Sequence, residues 1–325
     1  MRIIVYEARP DEELYLKAEA RRCECDVIIS SEVPSPDNAA LSEGCDGVSI
    51  LGQGSIDENL LHNWYENGVR YLSTRTIGSN HIDLAAAKRI GIRVCNAAYA
   101  PNGVADFAVM LMLMCIRHYK QALWRGQVND FELNGLQGRE LRSMTVGIVG
   151  TGRIGMQTAR NLSGFGCRLI AYDPNPNNDC SSLDYVSLEE LYRESDIITL
   201  HVPLTEQNYH MINSESLNMM KDGVILINCA RGSLCDIEAL IEGVESKKIG
   251  ALGIDTTEGE EGIIHADHRI DILRGRDWFY LRQFRNVVMT PHMAFYTDEA
   301  IESIVRCGIE GICTMASGRA YITEL

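Results

Sequence analysis

The fold is decided by the stretch Thr145-Val146-Gly147-Ile148-Val149, Gly150-Thr151-Gly152-Arg153-Ile154-Gly155, then Met156 to Gly166, then Cys167-Arg168-Leu169-Ile170-Ala171-Tyr172-Asp173. Val146 to Val149 is a short apolar run of strand type. Ile154, Ala159, Leu162 and Phe165 recur at roughly helical spacing. Cys167 to Tyr172 is a second strand, closed by an acid. The glycines form G-x-G-x-x-G between strand and helix, with an acid about 20 residues on, the context a dinucleotide fingerprint requires. Gly150 is expected to make the tight turn, Gly152 to let the backbone approach a pyrophosphate, and Gly155 to let helix and strand pack closely. Asp173 can accept hydrogen bonds from an adenosine ribose, and no arginine follows at once to hold a 2′-phosphate. The expected cofactor is NAD. A structural turn that binds nothing is the bland alternative.

Around this stretch lies room for about two domains in 325 residues. Apolar content of 46% with 23% charged residues is ordinary for a soluble globular protein. A net charge of −15 argues against nucleic-acid binding, which wants a basic face. Met1-Arg2-Ile3-Ile4-Val5-Tyr6 reads as a first strand rather than a signal peptide. The longest apolar run, Val104 to Ile116, contains Asp106 and is too short to span a bilayer. Eleven cysteines without a secretion signal imply reduced thiols and a cytoplasmic protein. Neither the Cys23-x-Cys25 pair nor Cys229 and Cys235 has zinc-site spacing, so no metal is expected.

Upstream, the first hundred residues alternate strands (Arg2–Tyr6, Asp26–Ile29, Gly47–Leu51, Arg70–Ser73, Arg93–Asn96) with helical segments, which predicts a parallel α/β unit of its own. A long helix from Val104 to Lys120 follows Tyr99-Ala100-Pro101-Asn102. Phe107, Met110, Leu111, Met114 and Cys115 are its expected apolar side, and the greasy remainder suits a subunit interface. Downstream, strands are expected at Asp196–His201, Val224–Cys229, Ile249–Ile254 and Asn286–Met289, making six with the first two. Ser187 with Glu190 predicts a capping box, Lys221 and Gly223 a helix end, and Asp236 a cap. Thr297 can cap a last helix whose stripe is Ile301, Ile304, Val305, Gly308, Ile312 and Met315. That helix lies beyond the sixth strand and is expected to return to the first unit.

Ligands of open α/β sheets bind at the carboxyl ends of the strands. There the sequence places Cys229-Ala230-Arg231-Gly232, then Asp255 with Glu258 and Glu260, then Thr290-Pro291-His292. An arginine fork can hold a carboxylate. A histidine can carry a proton near neutral pH, and a carboxylate beside it favours the imidazolium and orients the ring. With a nicotinamide alongside, this set would reduce a 2-keto acid. On residue types alone, Glu258 competes with Glu260, and His201, also at a strand end, competes as the base.

In these residues the chain resembles the D-isomer-specific 2-hydroxyacid dehydrogenases, especially their D-lactate dehydrogenase branch. The resemblance spans nearly the whole chain. It rests on Ser73-Thr-Arg-Thr-Ile-Gly78, Tyr99-Ala-Pro101, Gly150 to Gly155, His201-Val-Pro-Leu204, Asn228-Cys-Ala-Arg-Gly232, Asp255 to Glu260 and Thr290-Pro-His292. It implies two doubly wound parallel-sheet domains, a Rossmann NAD-binding domain (100–295) inserted in a discontinuous flavodoxin-like substrate domain (1–99 and 296–325). A hinge near residues 99 and 296 and a homodimer built on the helix after Pro101 are implied as well. Arg231, Glu260 and His292 become the catalytic set. Cofactor contacts fall at Arg153, Ile154, Asp173, Val202, Pro203, Asn208, Cys229, Ala230, Arg231 and Asp255, with His201 on the cofactor side. Ile77 and Gly78 would offer N–H groups to the substrate carboxylate, and Tyr99 and Tyr296 would border the substrate. Some members of the superfamily are dinucleotide-sensing corepressors that bind partner proteins, which is the alternative to an enzyme. Leu51-Gly52-Gln53-Gly54 stands where the lactate-specific branch commonly has an aromatic residue. Glycines there are expected to leave volume, predicting a broad enzyme that reduces pyruvate and also phenylpyruvate or branched 2-keto acids.

Overall fold

The computed structural model describes residues 1–176, 183–273 and 275–325. Cys180, one of the eleven thiols counted above, lies outside them. The chain divides into two compact units, Met1–Ala100 with Tyr296–Leu325, and Pro101–Phe295.

In the first unit, β1 (Arg2–Val5), β2 (Asp26–Ile29), β3 (Gly47–Ile50), β4 (Tyr71–Thr74) and β5 (Arg93–Cys95) run parallel in the order β2-β1-β3-β4-β5. This is the flavodoxin-like doubly wound order. Because side chains alternate across a strand, each strand feeds two cores. Ile4, Val48, Ile50, Leu72 and Val94 join Leu60, Leu61 and Trp64 of α2 (Glu58–Glu66) and Ala86 and Ala87 of α3 (Leu84–Ile90). The opposite face carries α1 (Glu13–Arg22) and α11 (Asp298–Ala316), which pack on each other; α11 also lies on β3, β4 and β5. Thr297 caps α11 through Ala300 N, and Ile301, Ile304, Val305, Gly308, Ile312 and Met315 are all buried. Gly308 allows a close approach: a Cβ there would stand 3.0 Å from both Arg75 Cγ and Ser49 Oγ, and its carbonyl accepts from Ser73 Oγ at 2.8 Å.

In the second unit, β6 (Thr145–Val149), β7 (Arg168–Tyr172), β8 (Asp184–Tyr185), β9 (Ile197–Leu200), β10 (Val224–Asn228), β11 (Ile249–Ile254) and β12 (Val287–Met289) make a parallel sheet ordered β12-β11-β10-β9-β6-β7-β8. It contains the dinucleotide-binding order with one strand added at the β11 edge. The sequence predicts six of these strands; β8, two residues long, carries no periodicity to reveal it. The helices are α4 (Asn102–Ile116), α5 (Tyr119–Gln127), α6 (Arg153–Ser163), α7 (Leu188–Glu194), α8 (Ser214–Met219), α9 (Ile237–Glu245) and α10 (Arg276–Gln283).

Five local expectations need correction. The helix expected over Val104–Lys120 stops at Ile116, and α5 restarts after His118, whose φ is +50°. Arg139 N donates to Ile116 O, and Gly138 lies so close that a Cβ would meet that oxygen at 2.4 Å. The crossing backbone takes the carbonyl that a longer helix would need. The buried side of α4 is Val104, Ala105, Ala108, Val109, Leu111, Met112, Cys115 and Ile116, whereas Met110 is exposed. In α6 the buried stripe is Gly155, Met156, Ala159 and Leu162, and Phe165 lies beyond the helix and is exposed. Ser187 caps α7 through Glu190 N alone, without the reciprocal bond of a capping box. Finally, α8 ends at Met219, and Gly223, at φ +78°, turns the chain into β10 instead of closing a helix. Asp236 does cap α9, through Glu238 N and Ala239 N.

Candidate active site

The glycine loop joins β6 to α6, and each glycine does a separate steric job. Gly150 has φ +92°, and a Cβ there would meet His201 O at 2.6 Å. A Cβ at Gly155 would meet Gly150 O at 1.9 Å, so helix and strand pack here backbone to backbone. At Gly152 a Cβ would meet nothing within 4 Å. The loop is therefore tight at both ends and open in the middle, at the start of a helix whose N-terminus favours anions. That opening fits the pyrophosphate of NAD. Asp173, after β7, accepts from Thr151 N at 2.7 Å and Thr151 Oγ1 at 3.1 Å, while its other oxygen accepts from Asn175 N at 2.8 Å. Tyr185 Oη donates to Thr151 Oγ1 at 3.0 Å. The acid is thereby fixed beside the loop, with carboxylate lone pairs left for a ribose. Thr151 and Tyr185 are supports that the motif pattern missed, since neither position is a glycine or an acid.

Around the strand ends lie the other residues assigned to the cofactor. Arg153 is exposed at the first position of α6, and Ile154 behind it is half-buried. His201, Val202 and Pro203 follow β9, where Val202 Cγ1 would touch a Cβ at Gly150 at 2.7 Å. Thr199 Oγ1 lies 3.0 Å from His201 Nε2. Desolvation lowers the His201 pKa to about 4, so this ring is neutral at pH 7. Asn208 spends its side chain on its own loop, accepting from Thr205 N and donating to Pro203 O, both at 2.7 Å. The Cys229 thiol is pushed well above its ordinary value by burial, and its thiolate is not available.

The Arg231 turn is held from below. Asn228, buried at the end of β10, accepts from Ala230 N at 3.0 Å and donates to Arg231 O at 2.9 Å. Gly232 then presses on the next loop: a Cβ there would stand 2.2 Å from Thr257 C and 2.4 Å from Glu258 N. So Arg231 and the acidic loop are docked through a position only glycine can fill. Within that loop Glu260 Oε2 accepts from Thr257 N at 2.8 Å, and Glu260 Oε1 lies 2.7 Å from His292 Nδ1. Glu258 goes elsewhere, with its Oε1 2.8 Å from His210 Nε2 and accepting from Tyr209 Oη at 3.3 Å. The two acids that residue types left in competition are thus told apart by geometry.

Asp255 is 1% exposed and binds the segment that presents His292. Its Oδ1 accepts from Thr290 Oγ1 at 2.5 Å and Met293 N at 2.9 Å, and its Oδ2 from Ala294 N at 2.8 Å. His292 N donates to Asp255 O at 2.9 Å, and His292 itself sits at φ +52°. Non-glycine residues reach that region rarely, and here the surrounding hydrogen bonds hold the strain. His265, which no motif flagged, places Nε2 3.0 Å from His292 O, with its ring centroid 6.3 Å from that of Phe295. Glu260 accordingly orients the imidazole through Nδ1, which leaves Nε2 as the nitrogen able to exchange a proton with a ligand.

The residues assigned to the substrate from the first unit are found on its loops. Ile77 is exposed; its carbonyl accepts from Asn96 Nδ2 at 2.6 Å, and Gly78 O accepts from Thr76 Oγ1 at 2.6 Å. Tyr99 follows β5. Tyr296 is exposed, with the Arg9 guanidinium 5.1 Å from its ring centroid. The volume expected at Leu51–Gly54 is absent. A Cβ at Gly52 would meet the His81 ring at 2.9 Å, and one at Gly54 would meet Val33 Cγ1 at 2.7 Å. The Glu7 carboxylate fills the loop's donor side, accepting from the N–H groups of Leu51, Gly52, Gln53 and Gly54. These glycines make room for the protein's own groups.

Among the described residues, no set of three His, Cys, Asp or Glu side chains is arranged to hold a metal ion, and no helix is long and apolar enough to cross a membrane. Residues 109–294 match the family model "D-isomer specific 2-hydroxyacid dehydrogenase, NAD binding domain". The aromatic 2-oxoacid reductase of Clostridium sporogenes is 45% identical over 308 residues, covering 94% of this chain and 93% of that protein. The structure of a D-2-hydroxyisocaproate dehydrogenase superposes with a TM-score of 0.91 at 35% identity, covering 100% of this chain and 99% of the other. The NAD-complexed D-isomer-specific 2-hydroxyacid dehydrogenase of Lactobacillus delbrueckii ssp. bulgaricus does so at 0.85 and 29% identity, over the whole of both chains. With the sheet order, the glycine loop and these similarities in agreement, the chain belongs to the D-isomer-specific 2-hydroxyacid dehydrogenases and is an NAD-dependent oxidoreductase acting on D-2-hydroxy acids and their 2-keto counterparts.

Proposed function

We propose that Arg231, Glu260 and His292 carry the reduction, with His292 as proton donor and Arg231 holding the substrate carboxylate. The observation behind this reading is the 2.7 Å approach of Glu260 to His292 Nδ1, on the same sheet edge as the glycine loop and the Arg231 turn. The reduced cofactor, NADH, would when bound supply the hydride for the keto carbon and leave as NAD. His292 Nε2 gives its proton to the keto oxygen. Glu260 steadies the charged ring beforehand. Arg231 fixes the acid group by a two-pronged hydrogen bond, which sets the orientation of the carbonyl. His201 is not the donor, since its ring is neutral at pH 7. We assign the substrate-binding role to the first unit, through the Ile77 and Gly78 N–H groups, Tyr99 and Tyr296.

We further infer that the preferred substrates carry a bulky apolar or aryl side chain. The support is the similarity to an aromatic 2-oxoacid reductase and a D-2-hydroxyisocaproate dehydrogenase. Measuring kcat/KM for NADH-dependent reduction of phenylpyruvate, 2-ketoisocaproate, pyruvate and oxaloacetate tests it. Phenylpyruvate or 2-ketoisocaproate is expected to exceed pyruvate about tenfold, as two or three extra buried methylenes allow. A strong preference for pyruvate over the other three would leave a plain D-lactate dehydrogenase.

The reading includes a homodimer in the cytoplasm. The outward side of α4 carries an apolar hollow of about 650 Å³, lined by Val109, Met110, Leu113, Met114 and Phe165 with Asp106 and Asn161 at its edge. An apolar surface of this kind is costly to leave in water, and a second copy of the chain would cover it. Met110→Asp is expected to shift sedimentation equilibrium from dimer to monomer; a monomeric wild type would refute the assembly.

A further inference from the structure

The turn after α1 is made from an unexpected residue. Glu24 sits between Cys23 and Cys25 at φ +51°. Its N–H donates to Arg21 O at 3.3 Å, and Cys25 N donates to Ala20 O at 3.0 Å. These are the two bonds of a helix-ending motif that ordinarily has glycine at the left-handed position. The chain reversal at Glu24 wraps both cysteines around one end of α1. Opposite them lies α11. Arg22 Nη2 is 3.4 Å from Glu310 Oε2, and Cys313 stands three residues further on the same helix face. The neighbouring Cys25 thiol, then burial and Cys23, push the Cys313 thiol above its ordinary value. All three side chains are half-buried, so a small solute can reach them.

We propose that Cys23, Cys25 and Cys313 form a thiol redox site in the first unit, at which a hydroperoxide oxidises Cys25 and Cys313 closes on it as a disulfide. In the first step the Cys25 thiolate attacks a peroxide oxygen and the O–O bond breaks. Cys25 becomes a sulfenic acid, and the departing hydroxide takes up a proton as water. Cys313 sulfur then attacks Cys25 sulfur and expels the sulfenic oxygen, which leaves with the Cys313 proton as a second water. Two thiols lose two electrons and two protons, and the peroxide receives them. The result is a covalent link between the turn after α1 and α11.

Thiolate availability favours Cys25 over its neighbour as the first thiol attacked. The Cys313 thiol beside it pulls the Cys25 thiol below its ordinary value, whereas burial pushes that of Cys23 up. The thiolate is the nucleophile, so oxidation follows that order. A metal site is the other use for three thiols, and the cluster lacks that geometry.

The test uses the full chain, reduced, treated with hydrogen peroxide, blocked with N-ethylmaleimide and digested for mass spectrometry. A peptide joining Cys25 to Cys313, two hydrogens lighter than the free pair, is expected, and dithiothreitol should remove it. Cys25→Ser should abolish the link while basal NADH-dependent turnover stays at the wild-type level, which shows the fold intact. Cys313→Ser should instead leave Cys25 open to a dimedone adduct. Cys25 should be consumed about tenfold faster than half-buried Cys167. Equal rates for Cys25 and Cys167, or a link made through Cys23 in place of Cys25, would overturn the proposal. So would stoichiometric zinc binding that Cys25→Ser removes, since that would make the cluster a soft-metal site.

Discussion

Two glycine-bearing loops follow parallel strands in this protein, and they do opposite things. Leu51–Gly54 follows β3, and Gly150–Gly155 follows β6. The first turns four successive backbone N–H groups toward one point, as an anion-binding loop does. In the first loop the point is already taken: Glu7, 3% exposed, accepts from four successive N–H groups, and the His81 ring and Val33 occupy the space a side chain would need. In the second, Asp173 reaches only Thr151, at the loop's edge, and the backbone at Gly152 is open. Glycine spacing alone therefore does not mark a ligand loop. What marks one is whether the protein supplies its own anion.

The sharpest way to break this comparison is to remove the internal anion. Glu7→Ala leaves the four N–H groups without their buried acceptor, a loss of about 3 kcal/mol or more. The urea midpoint should fall by a corresponding amount, while the affinity for NADH, which belongs to the other loop, stays within about twofold. A wild-type midpoint would mean that water can replace Glu7 and that the two loops are alike.

A smaller effect separates the glycines of the second loop from one another. Gly155→Ala drives a Cβ into Gly150 O, a backbone atom that cannot rotate away, so about 2–4 kcal/mol of stability should be lost. Gly152→Ala meets nothing and has an ordinary φ of −65°, so its urea midpoint should move by less than about 0.5 kcal/mol. Its cost should appear in the cofactor: the added methyl stands where the pyrophosphate approaches, and the Kd for NADH should rise about tenfold or more. If Gly152→Ala bound NADH normally, the open middle of the loop would not be the phosphate site.

How much of this was readable from residues alone follows the range of the signal. The strand–glycine–helix pattern around Gly150, the stripe of α11 and the cap at Asp236 are local, and a local pattern survives in one sequence. Arg231, His292 and the acids Glu258 and Glu260 stand out as candidates because they follow strands, whose ends the topology brings together; only the family resemblance prefers Glu260. Contacts between distant residues left no such trace. Glu7 lies 44 residues before the N–H group of Leu51 that it accepts from, and Arg139 ends α4 by reaching Ile116 across α5. The volume argument at Gly52 failed for the same reason, since His81 belongs to a later loop. Asp255 shows a middle case. Its place at a strand end was plain, but its carboxylate is spent holding the His292 segment, a use that spacing does not display.

The finest test lies beneath the open loop, at His201. A Cβ at Gly150 would touch the His201 carbonyl, and one at Gly155 would come 3.4 Å from His201 Cβ, so the residue is part of the wall that keeps the loop tight. Desolvation takes its pKa from 6.5 to about 4. Between those values the unfolded chain binds the proton more readily than the folded one. The stability gained by burying the neutral ring is therefore fully present above pH 6.5 and is lost as pH falls toward 4. His201→Gln removes the titrating ring, so unfolding free energy measured by urea at pH 4, 5, 6 and 7 should decline less steeply than in the wild type, by at most about one proton per molecule. The pH–rate profile of reduction should keep its shape above pH 6, because the proton donor is His292. Matching stability slopes in the two proteins would show that His201 is as hydrated as an exposed histidine, and that the wall beneath the glycine loop is open to water as well.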